Sequence, residues 1–251
     1  MLSRFEWDGH RVWGGLRTLG SALAVAALSV AAHGETADNN LKPFTASFAV
    51  EWKGLNGGTS TLSLKQTGPA DFQYTSSSSP RGIFRLAFSD ITTSSTLVIE
   101  NGAVSPLHFR GSDGAADRAK DIALDFDWAR SRITGTAEQK AVNLELKPGV
   151  QDSMSVQIAL MVDLAAGRSP SEYSLIDKDE IKQFLYTREA PVRLKTALGE
   201  IDTIVYASRR ANSSRVTRMW IAPSLGYVPV QAERRRDGKL ELTMRLRTLK
   251  R

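Results

Sequence analysis

Apolar and polar residues alternate along most of the chain beyond residue 43, which is the pattern of β-strands that bury one face. Between Phe44 and Trp52 every second residue is apolar. A glycine-rich stretch at residues 54–58 follows, and the alternation returns at residues 59–66. Because Asn-Gly between two alternating segments is typical of a tight turn, these segments are predicted to form a hairpin with the glycines as its turn.

Further short segments with strand character follow, each too short and too rich in alternating or β-branched residues for a good helix. They are predicted at residues 72–77, 91–100, 104–110, 121–128, 133–136, 141–146, 173–176, 181–189, 192–196, 201–208, 215–221, 227–236 and 240–248. Pro106 interrupts one of them and predicts an edge position or a bulge, because proline cannot donate to a ladder.

One segment, at about residues 152–166, has the pattern of a helix with two adjoining apolar faces. Asp152 or Ser153 can cap its start, and Gly167 and Pro170 end it. So wide an apolar surface predicts a helix that is buried against a sheet or that plugs the end of a barrel.

The predicted fold class is therefore mainly β (α+β), a single curved antiparallel sheet or barrel of many short strands with one buried helix. Open sheets rarely remain flat beyond about ten strands, which favours curvature or closure. Since no linker, repeat or low-complexity stretch interrupts the series, one β-rich domain is expected at residues 35–251.

The first 34 residues have the pattern of a secretory signal peptide. Three arginines among the first 17 residues precede an uncharged run at residues 19–32. The run is short of the roughly 20 residues that span a bilayer, and the small residues at 32 and 34 favour cleavage before Glu35. We expect a mature chain with no transmembrane anchor after cleavage, located in the periplasm if the host is a Gram-negative bacterium.

The amino-acid composition excludes several kinds of catalytic and metal-binding site. The sequence has no cysteine, which excludes disulfides, thiolate metal sites, a cysteine nucleophile and a lipid anchor on cysteine. Signal cleavage would leave His108 as the only histidine, so a zinc site built on two or three histidines is excluded. HExxH, G-x-S-x-G, P-loop and G-x-G-x-x-G motifs are absent. The sequence predicts no metal and no cofactor, and it favours a non-enzymatic protein while leaving catalysis open.

Five short motifs occur in order along the chain: Asp-Phe-Asp-Trp at 125–128, Gly-Val-Gln-Asp-Ser-Met-Ser at 149–155, Thr-Ala-Leu-Gly at 196–199, Trp-Ile-Ala-Pro at 220–223 and Tyr-Val-Pro-Val at 227–230. Their order and spacing resemble the domain of unknown function 3108 family of exported bacterial proteins. The resemblance implies an exported, β-rich protein, and this family brings no established activity with it.

Charge is unevenly distributed along the chain. Residues 193–251 carry 14 Lys+Arg against 5 Asp+Glu, whereas residues 35–192 carry 16 against 20. Arginine favours bidentate contacts with carboxylates and phosphates, so this half could bind an anion; the alternative is a solvated basic face. The candidate ligand-binding residues are Arg209, Arg215, Arg218, Arg234, Arg236, Arg245, Trp220 and Tyr227.

An alternative acidic site consists of Asp125, Asp127 and Asp152. Asp125 and Asp127 share one face of a predicted strand, and paired carboxylates can divide general acid and base roles. A solvated strand surface explains the same pair. Asp152 is explained by helix capping, and capping hydrogen bonds predict a depressed pKa for its carboxyl group.

The leading hypothesis is a non-enzymatic periplasmic protein that binds an apolar or amphipathic anionic, lipid-like envelope ligand, or an envelope protein partner. An acidic glycan of the envelope is a further possible partner, whereas nucleic acid does not fit the predicted compartment. Two alternatives stay open: a carboxylate-dependent enzyme acting on envelope glycans, and a scaffold or assembly factor that docks through its basic face.

Overall fold

The computed structural model describes residues 41–86, 89–115 and 117–251. The predicted signal peptide at residues 1–34 lies outside them. Fourteen strands and one α-helix form in chain order: β1 (Phe44–Trp52), β2 (Leu55–Gln66), β3 (Asp71–Pro80), β4 (Ile91–Glu100), β5 (Ala103–Ser112), β6 (Ile122–Asp127), β7 (Arg132–Ala137), β8 (Lys140–Glu145), α1 (Ser155–Ala165), β9 (Glu172–Asp177), β10 (Glu180–Thr196), β11 (Gly199–Arg210), β12 (Arg215–Ala222), β13 (Val228–Arg236) and β14 (Lys239–Lys250). Short 3₁₀ helices follow β3 and β12, at Gly82–Leu86 and Pro223–Leu225.

The strands form a single antiparallel sheet in the order β8-β7-β6-β5-β4-β3-β2-β1-β14-β13-β12-β11-β10-β9. The first and last strands meet in the middle of the sheet, where Phe48 lies opposite Ser60 on β2 and Leu246 on β14. The two edges are β8 and β9. The predicted curved antiparallel sheet is confirmed, and its hydrogen-bonded ladder does not close between these edges.

We call the junction of the two edges the seam. At one end of the seam, Lys178 on the β9–β10 turn lies 2.8 Å from the Glu138 carboxylate on the β7–β8 turn, and Lys140 lies 3.7 Å from Asp179. Further along, Gln151 forms a parallel bridge with Leu175 on β9. The sheet therefore curls until its edges face each other, joined by side chains and one bridge.

Helix α1 lies inside the curl and is buried on almost all sides, as its two apolar faces predict. One face, with Ile158 and Met161, packs in the large core formed chiefly by β1 to β8. The other face, with Val156 and Leu160, packs in a smaller core with tyrosines and aliphatic residues of β9 to β12. The helix ends at Gly167, whose positive φ of +72° stops the helical backbone.

Two local predictions differ in outcome. A register shift between Thr96 and Leu97, opposite Pro106, confirms the bulge predicted there. The predicted hairpin is confirmed, because β1 pairs with β2. The predicted extent of its turn is wrong, since the chain turns at Lys53–Gly54 and residues 55–58 belong to β2. The reason is packing, because a β-carbon at Gly58 would lie 2.1 Å from the Ser79 carbonyl oxygen, so glycine is needed for the close approach of β3.

Because successive strands run in opposite directions, alternate turns lie at the same end of the sheet. We call the end carrying the turns after β1, β9, β11 and β13 the mouth. The start of the helix faces the mouth, while its last residues lie beside the β4–β5 turn at the opposite end. The helix thus fills the half of the interior that is far from the mouth, and the half next to the mouth stays open. Among the described residues, no helix is long and apolar enough to cross a membrane.

Candidate functional site

The open half of the interior forms two adjoining cavities of about 370 and 380 Å³, which share Arg234 and Leu242. We call the two together the mouth cavity. Its floor is the start of the helix, with Ser153, Val156 and Gln157. Its walls come from β1, β2, β3 and β9 to β14, so the cavity exists only because the first and last strands pair.

The cavity wall combines apolar and hydroxyl side chains with two carboxylates, Asp177 and Glu233. The apolar members include Phe48, Val50, Trp52, Leu62, Phe184, Met219, Leu242 and Met244. The hydroxyl members include Thr59, Ser76, Ser78, Ser79, Ser208 and Thr217. Such a wall suits a ligand with an apolar body and a few polar groups, because binding sites are predominantly apolar with a small number of placed polar groups.

Arg234 occupies the junction of the two cavities. Its guanidinium carbon lies 5.3 Å from the centre of the Trp52 ring, within range of a cation–π contact. Its nearest carboxylate, Glu241, is 3.6 Å from Nε, too far for a hydrogen bond. The Nε group is buried and has no hydrogen-bond partner among the described residues. A buried donor without a partner is costly, and an anion in the cavity could satisfy it.

The rim of the mouth beside Arg234 is basic. Arg209, Arg210 and Arg215 flank the β11–β12 turn, and the β13–β14 turn is flanked by Arg235, Arg236 and Lys239. Four carboxylates accompany them, Asp177, Glu233, Asp237 and Glu241. Pairing within this group is partial, with distances of 3.5 Å for Arg210–Asp177, 3.3 Å for Arg235–Glu233 and 3.7 Å for Arg236–Glu241. The rim therefore keeps a net positive charge that would attract anions.

The structure brings only part of the predicted basic site together. Arg209, Arg215, Arg234 and Arg236 lie at the mouth. Arg218 lies between two residues that face the cavity, so it projects from the other face of β12, where Glu189 holds it at 2.7 Å.

The other three predicted residues lie elsewhere. Arg245 is exposed and pairs with Glu51 at 2.8 Å. Trp220 packs against the large core. Tyr227 packs against both cores and lines a cavity of about 600 Å³ at the end opposite the mouth. Sequence reasoning missed Trp52 as a cavity residue, although its place in the apolar alternation of β1 marked it as inward-facing.

The predicted acidic residues do not form one cluster. Asp125 lies on the outer face of β6, 2.7 Å from both His108 Nδ1 and an Arg110 nitrogen. Burial opposes ionisation of Asp125, but the hydrogen bonds from His108 and Arg110 outweigh it and lower its pKa. Asp127 accepts hydrogen bonds from the backbone N–H and the guanidinium of Arg130 at 2.8 and 3.0 Å, which lower its pKa. Both carboxylates are held as ionised partners of neighbouring cations.

Asp152 lies apart from that pair, in the interior at the start of the helix, with none of its surface exposed. Its Oδ1 accepts the backbone N–H groups of Met154 and Ser155 at 2.7 and 2.8 Å, and its Oδ2 accepts the Ser95 hydroxyl at 2.7 Å. The predicted capping role is confirmed. The predicted depressed pKa is wrong: burial outweighs the hydrogen bonds and raises the pKa of Asp152 to about 6.

No group of three histidine or acidic side chains that could hold a metal ion occurs within the described parts of the chain. The side chains available at the mouth are therefore arginines in excess over carboxylates, hydroxyls and apolar walls.

Comparisons with known proteins identify one family and two solved structures that the chain resembles. A family model for a protein of unknown function (DUF3108) matches residues 47–245. A β-barrel-like protein of the domain of unknown function DUF1849 from Brucella abortus aligns with a TM-score of 0.53 at 11% identity, over 84% of this chain and 98% of that one. A candidate exported protein with a YmcC-like fold from Bacteroides fragilis aligns with a TM-score of 0.39 at 10% identity, over 84% and 97%. No curated protein matches the chain.

Proposed function

The chain belongs to the DUF3108 family of proteins of unknown function, and from the geometry of its mouth we propose that it binds a lipid-like amphipathic anion there. The observation that carries this proposal is the buried, unpartnered Nε of Arg234 at the junction of two largely apolar cavities. The ligand's apolar chain would lie along the cavity walls, and its anionic group would meet Arg234.

Burial of the chain supplies most of the binding energy in this proposal. Each methylene removed from water contributes about 0.8 kcal/mol, and the wall presents aromatic, methionine and leucine side chains to receive it. A neutral apolar ligand would use the same wall but would leave the Arg234 Nε unpaired. The anionic group therefore sets the preference between ligands of equal chain length.

Charge at the mouth supports the same ligand class. The rim arginines would raise the local concentration of an anion before it enters, and this contribution would weaken as salt screens the exposed charges. Arg234, which lies deeper and contacts Trp52, would make the short-range contact. The serine and threonine hydroxyls of the wall can donate to further oxygens of the same group.

Replacing Arg234 with methionine is expected to weaken binding of dodecyl phosphate roughly 10- to 100-fold, because a hydrogen bond to a charged group contributes about 1.5 to 3 kcal/mol. Binding of dodecanol, which has the same chain without the charge, should change little. Isothermal titration calorimetry of both ligands against both proteins would measure the two effects.

Arg209→Met is the matched control, because Arg209 is an exposed rim arginine that lines neither part of the mouth cavity. It should reduce affinity only slightly and mainly at low salt. Equal affinities of wild type and Arg234→Met for dodecyl phosphate would refute the proposed site. Equal wild-type affinities for dodecyl phosphate and dodecanol would refute the preference for an anion.

We also propose that the protein is exported to the periplasm of a Gram-negative host, with residues 1–34 as its signal peptide and residues 35–251 as one β-rich domain. The support is the arginine-rich start, the short apolar run and the small residues before Glu35. N-terminal sequencing of the protein recovered from the periplasmic fraction is expected to begin at Glu35. An intact Met1 in protein recovered from the membrane fraction would contradict it.

A further inference from the structure

Gln151 carries a buried oxygen for which the described residues provide no partner. Its residue exposure is 3%, and its side-chain Oε1 accepts no hydrogen bond from any described group. All its other polar groups are used. The backbone N–H donates to the Ser174 carbonyl and the carbonyl accepts from the Ile176 N–H, both at 2.9 Å, while Nε2 donates to the Val104 carbonyl at 2.8 Å.

The two backbone bonds hold the residue in place, and the bond from Nε2 to the Val104 carbonyl orients the side-chain amide. The Val104 carbonyl can only accept, which requires the nitrogen of the Gln151 amide to face it and leaves the oxygen on the other side. Buried acceptors in folded proteins nearly always have a partner. A group that donates to Oε1 is therefore expected from outside the described residues.

Gln151 lines a cavity of about 540 Å³ beside the seam, separate from the mouth cavity. Its other lining residues are Asn101, Gly102, Ala103, Val104, Pro148, Gly149, Ala159, Asp163, Arg168, Glu172, Tyr173, Ser174 and Gln183. Six of the fourteen lining residues have planar polar side chains, three of them amides, and one aromatic ring accompanies them. The volume is within the range of small-ligand sites.

The charged groups of this cavity largely compensate each other. Arg168 donates through Nε to Asp163 at 2.8 Å and through its terminal nitrogen to the Gly102 carbonyl at 2.8 Å. The Tyr173 hydroxyl also donates to Asp163, and burial together with that hydrogen bond raises the pKa of Tyr173. Asp163 thus has its charge matched and its orientation fixed. Gln183 donates through Nε2 to the Ser174 hydroxyl at 2.9 Å. The groups still available to a ligand are chiefly the Asn101 amide, the amide oxygens of Gln151 and Gln183, the proton of the Ser174 hydroxyl and the Glu172 carboxylate.

We propose that this seam cavity binds a neutral saccharide, with one sugar hydroxyl donating to Oε1 of Gln151. Sugar hydroxyls both donate and accept, which matches amide side chains that offer both functions. The ring of Tyr173 provides an apolar surface for the C–H face of a sugar. An anion would meet the Asp163 and Glu172 carboxylates, and an apolar ligand would leave Oε1 unpaired. The proposal does not depend on the ligand of the mouth cavity.

The test is two-dimensional ¹H–¹⁵N NMR of the labelled protein titrated separately with glucose, N-acetylglucosamine, cellobiose and chitobiose. At least one sugar is expected to shift the Gln151 side-chain amide and the backbone amides of Gly149 and Ser174, with saturation. Gln151→Met should weaken that binding roughly tenfold, since it removes the acceptor.

Because Gln151→Met also removes the donor to Val104, Glu172→Ala provides a second variant at an exposed lining position. Glu172→Ala should weaken binding of the same sugar several-fold in this titration. Glu145→Ala, an exposed position outside the cavity, is the control and should leave it unchanged. The proposal would be overturned if none of the four sugars shifted these amides. It would also be overturned if spermidine, an amine, shifted them and no sugar did. Dodecyl phosphate affinity should be the same in all these variants, which separates this test from that of the mouth cavity.

Discussion

Asp152→Ala is expected to lower the free energy of unfolding by about 3 to 5 kcal/mol. Asp152→Asn should leave it near the wild-type value at pH 4.5, where the Asp152 carboxyl of the folded protein is protonated. Alanine would remove the acceptor of two buried backbone N–H groups and of the Ser95 hydroxyl at once. Loss of a helix cap alone costs about 1 kcal/mol, and each buried donor left without a partner adds about 1 to 3 kcal/mol. Asparagine keeps an oxygen where Oδ1 accepts, and its amide nitrogen can donate to the Ser95 oxygen.

The same carboxylate makes stability depend on pH with an unusual sign. Burial raises the pKa of Asp152 to about 6 from 3.8, so the folded state holds its proton more tightly than the unfolded chain does. The stability from this group is complete below the unfolded value of about 3.8 and is lost as pH rises through about 6. One pKa unit is worth about 1.4 kcal/mol, so the loss is of the order of 3 kcal/mol.

Urea unfolding followed by circular dichroism at pH 4.5 and pH 7.5 would measure both effects. The wild type should lose stability relative to Asp152→Asn between the two pH values, because asparagine has no proton to lose. Asp202→Ala is the control: Asp202 is exposed, and this change should alter stability by less than about 0.5 kcal/mol. An asparagine variant as unstable as the alanine variant at both pH values would show that the negative charge itself is required.

The alternation of apolar residues predicted where the strands lie and the class of fold, because the strands bury one face in one of the two cores. It did not predict that the segments at 181–189 and 192–196 form the single strand β10, whose register shifts between Glu189 and Val192. The wide apolar surface of residues 152–166 likewise predicted a buried helix. Pairing of β1 with β14 could not be predicted, since no local pattern links residues 200 positions apart. Because that pairing forms part of the mouth wall, the cavity itself could not be predicted from the sequence.

The basic site was predicted only in part because its arginines were grouped by nearness in sequence and not by the face that each one occupies. In β12, Thr217 and Met219 line the cavity, so Arg218 between them projects outward to Glu189. In β13, Arg234 shares the inward face with Ala232 and with the buried Val228 and Val230. Alternation therefore separates the two arginines once the inward face of each strand is known, and the three-dimensional structure identifies that face.

Gly58→Ala is expected to lower the free energy of unfolding by about 2 to 5 kcal/mol, because β2 and β3 approach too closely there for any side chain. An alanine β-carbon would lie 2.1 Å from the Ser79 carbonyl oxygen and 3.0 Å from the Pro80 α-carbon. Both obstacles are backbone atoms, so the strands must separate. The φ of +122° adds strain of about 1 to 2 kcal/mol for a residue with a β-carbon, and forced overpacking adds about 1 to 3 kcal/mol.

Gly199→Ala measures the cost of the backbone strain in the absence of a close approach between strands. Gly199 has a similar φ of +103°, yet a β-carbon there would meet nothing within 4 Å. Its unfolding free energy should fall by only about 1 to 2 kcal/mol, measured by the same urea titration. Because Ser78, Ser79 and Pro80 line the mouth cavity, Gly58→Ala should also weaken dodecyl phosphate binding while Gly199→Ala should not. Equal losses of stability in the two variants would mean that the conformation of the glycine, and not the contact between β2 and β3, determines its presence at position 58.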